Sequence, residues 1–324
     1  VNNVLFLSLF IVLAAVSLIF LFIDRKKRTP KTGSAAETER VFPPVLAKLV
    51  DGTGVVSRHM TAGLLSFVQD NYASLNREGT EGIPVFTAVE EPPGASAGYL
   101  YRWLFYKIGE NGRFEPDRLF MYTSAEHGKT AFFADLNEWE TIMEKELTDT
   151  GLLRPFTPLR KTIVMLQLFM MVFGSALLIV SPWTGLLYLM FALAAFITVF
   201  ASSPRSAEGE RLFQSGKAYK QKLAGTDEPL NAADPEALTD HFVYAVAFGI
   251  WRSYTRQFPV REASEVALVS NQLPLYYYAA PGTAVLSLEG IRMIDETEAS
   301  FSFAAGDGES PAVWEDNDSS LPLE

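Results

Sequence analysis

Three apolar runs, at residues 4–23, 163–180 and 183–200, each carry 18 to 20 residues without a charge. At 1.5 Å of rise per residue, a helix of that length covers most or all of a hydrocarbon core of roughly 30 Å. Apolar surface on every side suits a helix in lipid, whereas a helix on a water-facing domain needs only one apolar stripe. The pattern predicts an α-helical integral membrane protein with three transmembrane helices. Residues 163–200 form a hairpin in this reading, because Ser181 and Pro182 leave room only for a tight reversal.

Between the runs the pattern is that of folded polar domains. Asp51-Gly52-Thr53-Gly54 turns the chain between a short apolar segment at 45–50 and a helix at 59–71. In that helix Met60, Leu64, Phe67 and Val68 share one face, and Ser57 is the expected cap. Extended pieces at 72–75 and 83–89 follow, so a helix leads into a small hairpin, the pattern of a winged-helix-like module. At 130–147, Phe132, Leu136, Trp139, Met143 and Leu147 repeat on one helical face, and Asp135, Glu138, Glu140, Glu144 and Glu146 point mainly to a solvated one.

After the third run come a polar helix at 206–223 and a helix from Asp234-Pro235 to about Phe258. Its 242–251 stretch is apolar all round but too short to span, so it is expected to lie near the membrane face. Segments 266–269, 273–278 and 284–288 read as extended, predicting a small sheet. The resulting organisation is a transmembrane helix at 1–23, a basic linker at 24–41, a first α/β domain at 42–155 and the transmembrane hairpin at 163–200. A C-terminal α/β part at 203–300 and an acidic, disordered tail at 301–324 complete it.

Charge sets the orientation. Asp24-Arg25-Lys26-Lys27-Arg28 closes the first run, and Arg154, Arg160 and Lys161 precede the second. By the positive-inside rule both flanks are cytoplasmic, which puts the N-terminus outside and both large parts inside, in a multi-pass membrane chain. Residues 24–162 hold 18 basic against 19 acidic residues, but residues 203–324 hold 9 against 19. The acidity belongs to the C-terminal part, which should be repelled by anionic lipid and nucleic acid. Around the candidate helix at 59–71, cations stand only at Arg58 and Arg77, so it has little with which to neutralise phosphates, and no nucleic-acid partner is expected.

Catalytic chemistry is poorly provided for. The chain has no cysteine, which excludes thiolate ligands and nucleophiles, and its three histidines, His59, His127 and His241, lie in separate segments without metal-ligand spacing. No glycine loop of phosphate-cradling type accompanies the aromatic stretch at 99–106. No cofactor, metal or catalytic set is therefore assigned. The spans carry no Asp, Glu, Lys, Arg or His, which leaves no side chain for a proton relay. The expected role is a non-enzymatic scaffold or interaction module contacting the lipid bilayer and a protein partner or a second copy. Trp251, Arg252 and Arg256 are the expected partner or lipid contacts, Trp251 giving rigid apolar area and the arginines charge. The alternatives are a membrane-anchored enzyme using the acid-rich surface around Glu140 and Glu144, or a subunit of a transport assembly.

Four segments resemble the DUF2207 family of predicted bacterial membrane proteins. Phe42-Pro43-Pro44 resembles its entry into a first cytoplasmic helix, and the 59–65 segment, His59-Met60-Thr61-Ala62-Gly63-Leu64-Leu65, is similar to its Leu-Thr-Ala-containing helix. Glu208-Gly209-Glu210 with residues 216–223 resembles the helix after its second hydrophobic pair. The segment from His241 to Gly249 is the nearest likeness, with Phe242 and Val243 standing where Leu and Pro are usual. The resemblance spans roughly residues 1–260. It implies a short form without the family's usual extracellular domain, and it brings no activity or catalytic residue.

Overall fold

The computed structural model describes residues 2–26, 41–52, 54–78, 83–154, 158–201, 205–225, 235–261, 276–280 and 283–306. They fall into two compact units, one of residues 1–36 and 147–212, the other of residues 37–146 and 213–324. Most of the two segments before and after the hairpin thus belongs to one unit. Sequence periodicity reports each element's own apolar face and not which partner covers it, so the pairing of elements is set by the fold.

The first unit is built on three apolar helices, α1 (Asn2–Lys26), α7 (Pro158–Val180) and α8 (Pro182–Ala201). By length and composition, the stretch Lys161–Val180 is long and apolar enough to cross a membrane, and Phe6–Phe20 and Pro182–Ile197 are shorter apolar stretches. Met170, Leu177, Tyr188 and Ala192 form the buried centre, with Phe6, Phe10 and Phe173 packed against it. The opposite faces are bare: Val4, Phe22, Val172, Ile179, Trp183 and Met190 are each more than 60% exposed. Helices α7 and α8 approach at two glycines. A Cβ on Gly174 would stand 2.7 Å from Cβ of Tyr188, and one on Gly185 would stand 2.7 Å from the backbone N of Leu178. Two polar contacts tie α1 to the pair, the Tyr188 hydroxyl donating to the carbonyl of Phe6 at 3.1 Å and the Gln167 amide donating to Ser17 Oγ at 2.9 Å.

The second unit is assembled around α3 (Ser57–Gln69), twelve of whose thirteen residues are buried. Helix α2 (Pro43–Asp51) leads into it and stops at Gly52, whose φ of 65° suits the left-handed cap. Ser57 does not cap α3. The N-cap is Val56, and the ring of His59 takes the capping role. After α3 the hairpin of β1 (Ala73–Glu78) and β2 (Ile83–Ala88) forms, and β3 (Arg113–Phe114) adds to β2, all antiparallel.

The aromatic stretch is helical: α4 (Ala95–Arg102) continues into a π-helical turn, Trp103–Ile108, that buries Trp103, Leu104, Phe105 and Ile108. Short α5 (Arg118–Ser124) precedes α6 (Gly128–Asp149), and the expected apolar face of α6 is the buried one, Leu136 at 8% being its most exposed member. Its polar face is not simply solvated. Asp135 is 5% exposed and paired with Lys107 at 2.6 Å, and Glu146 accepts from the backbone N of Ser96 at 2.8 Å.

Helix α9 (Ala207–Leu223) passes from the first unit into the second. The helix expected to run unbroken to residue 258 is two helices, α10 (Pro235–Ala247) and α11 (Trp251–Thr255), divided where Gly249 takes a φ of 68°. Helices α2, α3 and α11 pack on α10, which buries Leu238, Phe242, Val243, Ala245, Val246 and Ala247. A second sheet has the order β4 (Val260–Arg261), β6 (Thr283–Ser287), β5 (Tyr276–Ala280), with β4 parallel and β5 antiparallel to β6. The expected strand at 266–269 lies outside the described residues. Residues 301–305, expected in a disordered tail, are instead the last turns of helix α12 (Leu288–Ala305). This helix is capped by Ser287 and buries Met293, Ile294, Thr297, Phe301 and Ala304, an apolar stripe that its acidic composition masks.

Gly185→Leu should destabilise the α7–α8 pair by about 1–3 kcal/mol, since the side chain would press on backbone that cannot yield. Thermal unfolding of the detergent-solubilised chain would show a lower midpoint, whereas Leu186→Ala, at a 46% exposed position of the same helix, should shift it little.

Candidate functional site

Two polar features of the second unit have the geometry to do chemistry or binding. The first is a charge cluster at the start of α3. Lys48 of α2 is 8% exposed, and its amine meets Glu140 Oε1 at 2.6 Å and Glu144 Oε1 at 3.2 Å. Asp51 accepts from Lys220 at 2.6 Å and from Arg58 at 3.2 Å. The Arg58 side chain runs across Gly249, where a Cβ would obstruct it. Three cations and three carboxylates thus balance within one cluster. Glu140 and Glu144, expected on a solvated face and as the acids of the alternative enzyme, serve here as partners of a buried lysine. Their spacing is visible in the sequence, but Lys48, ninety-two positions away from Glu140, is not a predictable neighbour.

His59 sits beside this cluster with none of its surface exposed. Its Nδ1 accepts the backbone N–H of Val56 at 3.1 Å, which fixes the neutral tautomer with hydrogen on Nε2. Burial, reinforced by Arg58, Lys48 and Lys220, pushes its pKa down to about 3. The ring is therefore a neutral cap at ordinary pH, with the charge-disfavouring effect of burial and the nearby cations acting in the same direction.

The second feature is a cavity of about 370 Å³ formed by the start of α2, the end of α3, the start of α4 and the face of α10. Its walls include Phe42, Phe67, Tyr72 and Tyr244, with Pro43, Pro92 and Pro93 between them, and Asp70 and Asp240 also line it. Phe42 and Phe67 stack with ring centres 5.8 Å apart. The hydroxyl of Tyr244 donates to the carbonyl of Val41 at 2.6 Å, which holds that ring in place. The pocket exists because the polypeptide from Val41 to Pro43 and the helix bearing Asp240, Val243 and Tyr244 meet on α3 after about 200 residues of separation. Two of the segments by which the chain resembles its family, Phe42-Pro43-Pro44 and residues 241–249, come together here. That coincidence is the signal in the sequence for this site; it is easily missed because Phe42 and Tyr244 are unremarkable when taken alone.

The expected contact residues lie elsewhere on the unit. Trp251 is 6% exposed and its indole N–H donates to Glu298 Oε2 of α12 at 2.7 Å, so it offers no free apolar area. The helix that covers it is the one that ends in the residues expected to form a tail. Burial raises the pKa of Glu298, against the opposing effects of the Trp251 hydrogen bond and Arg252. Arg252 is exposed, lies over the Trp251 ring at 5.1 Å and pairs with Asp295 at 3.1 Å. Arg256 is also exposed, and the structure does not join these three into one open face. Among the described residues, no group of three or more His, Asp or Glu side chains has the arrangement to hold a metal ion.

Residues 38–258 match the family described as predicted membrane protein (DUF2207) C-terminal domain. That is more than half of the 324-residue chain, and the chain belongs to this family. No curated protein and no solved structure matches it.

His59 should give the fold a pH dependence of definite sign. Its folded pKa of about 3 lies below the ordinary 6.5, so the unfolded chain takes up the proton first and stability falls as pH drops from about 6.5 toward 3. Between pH 7 and pH 5 this one group should cost about 2 kcal/mol. His59→Asn keeps an acceptor for Val56 but cannot titrate; denaturant unfolding at the two pH values should show the slope flattened by that amount.

Proposed function

We propose that this member of the DUF2207 family is a membrane-anchored, non-enzymatic interaction module, whose α1, α7 and α8 span the bilayer and whose second unit binds a protein partner on its cytoplasmic side. The observation that carries the reading is the aromatic cavity at the end of α3, built from family-resembling segments and lined by residues that all lie within 38–258. Preformed concave sites with aromatic walls and a few polar groups are where binding concentrates. The anchoring reading draws on the family, on the apolar outer faces of the three helices, and on the basic flanks, which by the positive-inside rule favour a cytoplasmic side for both large parts. The order of α2, α3 and the β1–β2 hairpin is what supports reading this part as winged-helix-like, and the burial of α3 fits a shape that serves internal assembly.

Two experiments test this. A photocrosslinking residue at Tyr72 in native membranes should repeatedly capture one protein, and the same residue at exposed Glu126 should not; a product of twice 35.9 kDa identifies the partner as a second copy. Identical products at both positions, or lipid alone, would overturn the interaction reading. For topology, single cysteines at Ser34 and Ser310 in this cysteine-free chain should resist an impermeant thiol reagent in intact cells and react after lysis. Labelling of either in intact cells contradicts the arrangement.

A further inference from the structure

At the end of α12 the second unit leaves an aromatic face uncovered. Phe120 and Met121 of α5 are 58% and 73% exposed, Phe303 of α12 is 40% exposed and Phe133 of α6 is 36% exposed. They form one patch: the Phe120 and Phe303 rings lie 5.3 Å apart, and a Cβ at Gly306, the cap of α12, would stand 3.9 Å from the Phe133 ring. Large apolar side chains gathered in water mark interaction surfaces. Gly306 stands on the rim of this patch, and residues 307–324 continue from it. We propose that this C-terminal segment folds back within the same chain and seats Trp314 over Phe120, Met121 and Phe303.

Reach, composition and charge all favour this occupant. Trp314 is eight residues from Gly306, a length that spans up to roughly 27 Å when extended, and the patch begins beside the cap. So short a tether holds the indole at an effective concentration on the order of millimolar, so a contact too weak to retain a separate molecule is occupied in cis. Pro311-Ala312-Val313-Trp314 is an apolar cluster in a segment that carries six acids and no Lys or Arg. Its tryptophan offers large, rigid area for pairing with phenylalanine rings. Lys129 is exposed and lies one turn before Phe133 on the same face of α6. A cation therefore flanks the Gly306 side of the patch, beside the start of a segment that opens Asp307-Gly308-Glu309. An anionic lipid surface would repel that acidic segment. A second copy docking face to face would find too little here, because stable dimers bury roughly 800 Å² per partner and four partly exposed side chains fall short of it.

The test is disulfide trapping in the whole detergent-solubilised chain, whose lack of cysteine leaves no background. Each rate is scaled to the reaction of that cysteine with a small thiol reagent, which removes differences in thiolate content and access. Met121→Cys paired with Val313→Cys should then oxidise within one chain at least about five-fold faster than Lys145→Cys paired with Val313→Cys, a ratio of the size one aromatic contact gives. Lys145 is exposed and lies twelve positions beyond Phe133, about 18 Å along α6 and within reach of a segment that is not docked. Trp314→Ala added to both pairs should bring the two rates within about two-fold of each other. Phe120 is largely exposed, so Phe120→Ala should keep the fold and still narrow the ratio. Equal rates for the two pairs, or a ratio unchanged by either substitution, overturns the proposal. A disulfide of the Met121 pair that joins two chains, giving a product of twice 35.9 kDa, overturns the same-chain occupant and assigns the segment to a second copy.

Discussion

The second unit depends on the burial of α3 on every side. A helix so enclosed cannot leave its polar groups to water, and the protein supplies several of them with partners from within, although the Nε2 of His59 is buried without a hydrogen bond. Thr61 donates to the carbonyl of Ser57 at 3.3 Å, Ser66 donates to that of Gly63 at 2.9 Å, and the His59 ring accepts the N–H of Val56. Helices α2, α4, α10 and α12 can approach it because its side chains are mostly small or apolar. Gly63 marks the limiting case, since a Cβ there would collide with the side chain of Leu100 on α4. These four helices are the walls of the enclosure.

The two polar features follow from that arrangement at opposite ends of the helix. At its start, α2 and α6 bring Lys48 against Glu140, and α9 brings Lys220 against Asp51. Burying a lysine is costly unless it is paired, so these contacts are requirements of the packing. Toward its end, α3 is flanked by Val41 to Pro43 and by α10, and the incomplete fit of aromatic and proline side chains leaves the cavity. A charge-balanced structural cluster and an aromatic cavity therefore share one helix while having different chemistry.

The charged positions clarify what acidity means in this chain. The excess of carboxylates in the C-terminal half does not make one solvated tail. Asp295 and Glu298 hold Arg252 and Trp251 to α12, and Ser302 of the same helix donates to Ser57 on α3 at 2.9 Å. Net charge describes long-range repulsion, but the role of a single carboxylate is set by the cation or donor within a few ångströms of it.

Much is readable without any coordinates. The three apolar helices, the apolar face of α6, the β1–β2 hairpin and the division of charge all follow from local rules: side chains repeat every 3.6 residues on a helix and every two on a strand, and glycine ends what it cannot continue. Tertiary structure decided the rest, because those rules are silent about partners far apart in the chain. It broke the helix at Gly249, converted the start of an expected tail into a packed helix, turned Trp251 from an expected contact into a buried one, and assigned Glu140 to Lys48. It also made the cavity, since no local pattern can announce that Phe42 and Tyr244 will line one pocket. Long-range packing alone sets which groups become neighbours, and from that come both the neutral histidine and the aromatic cavity.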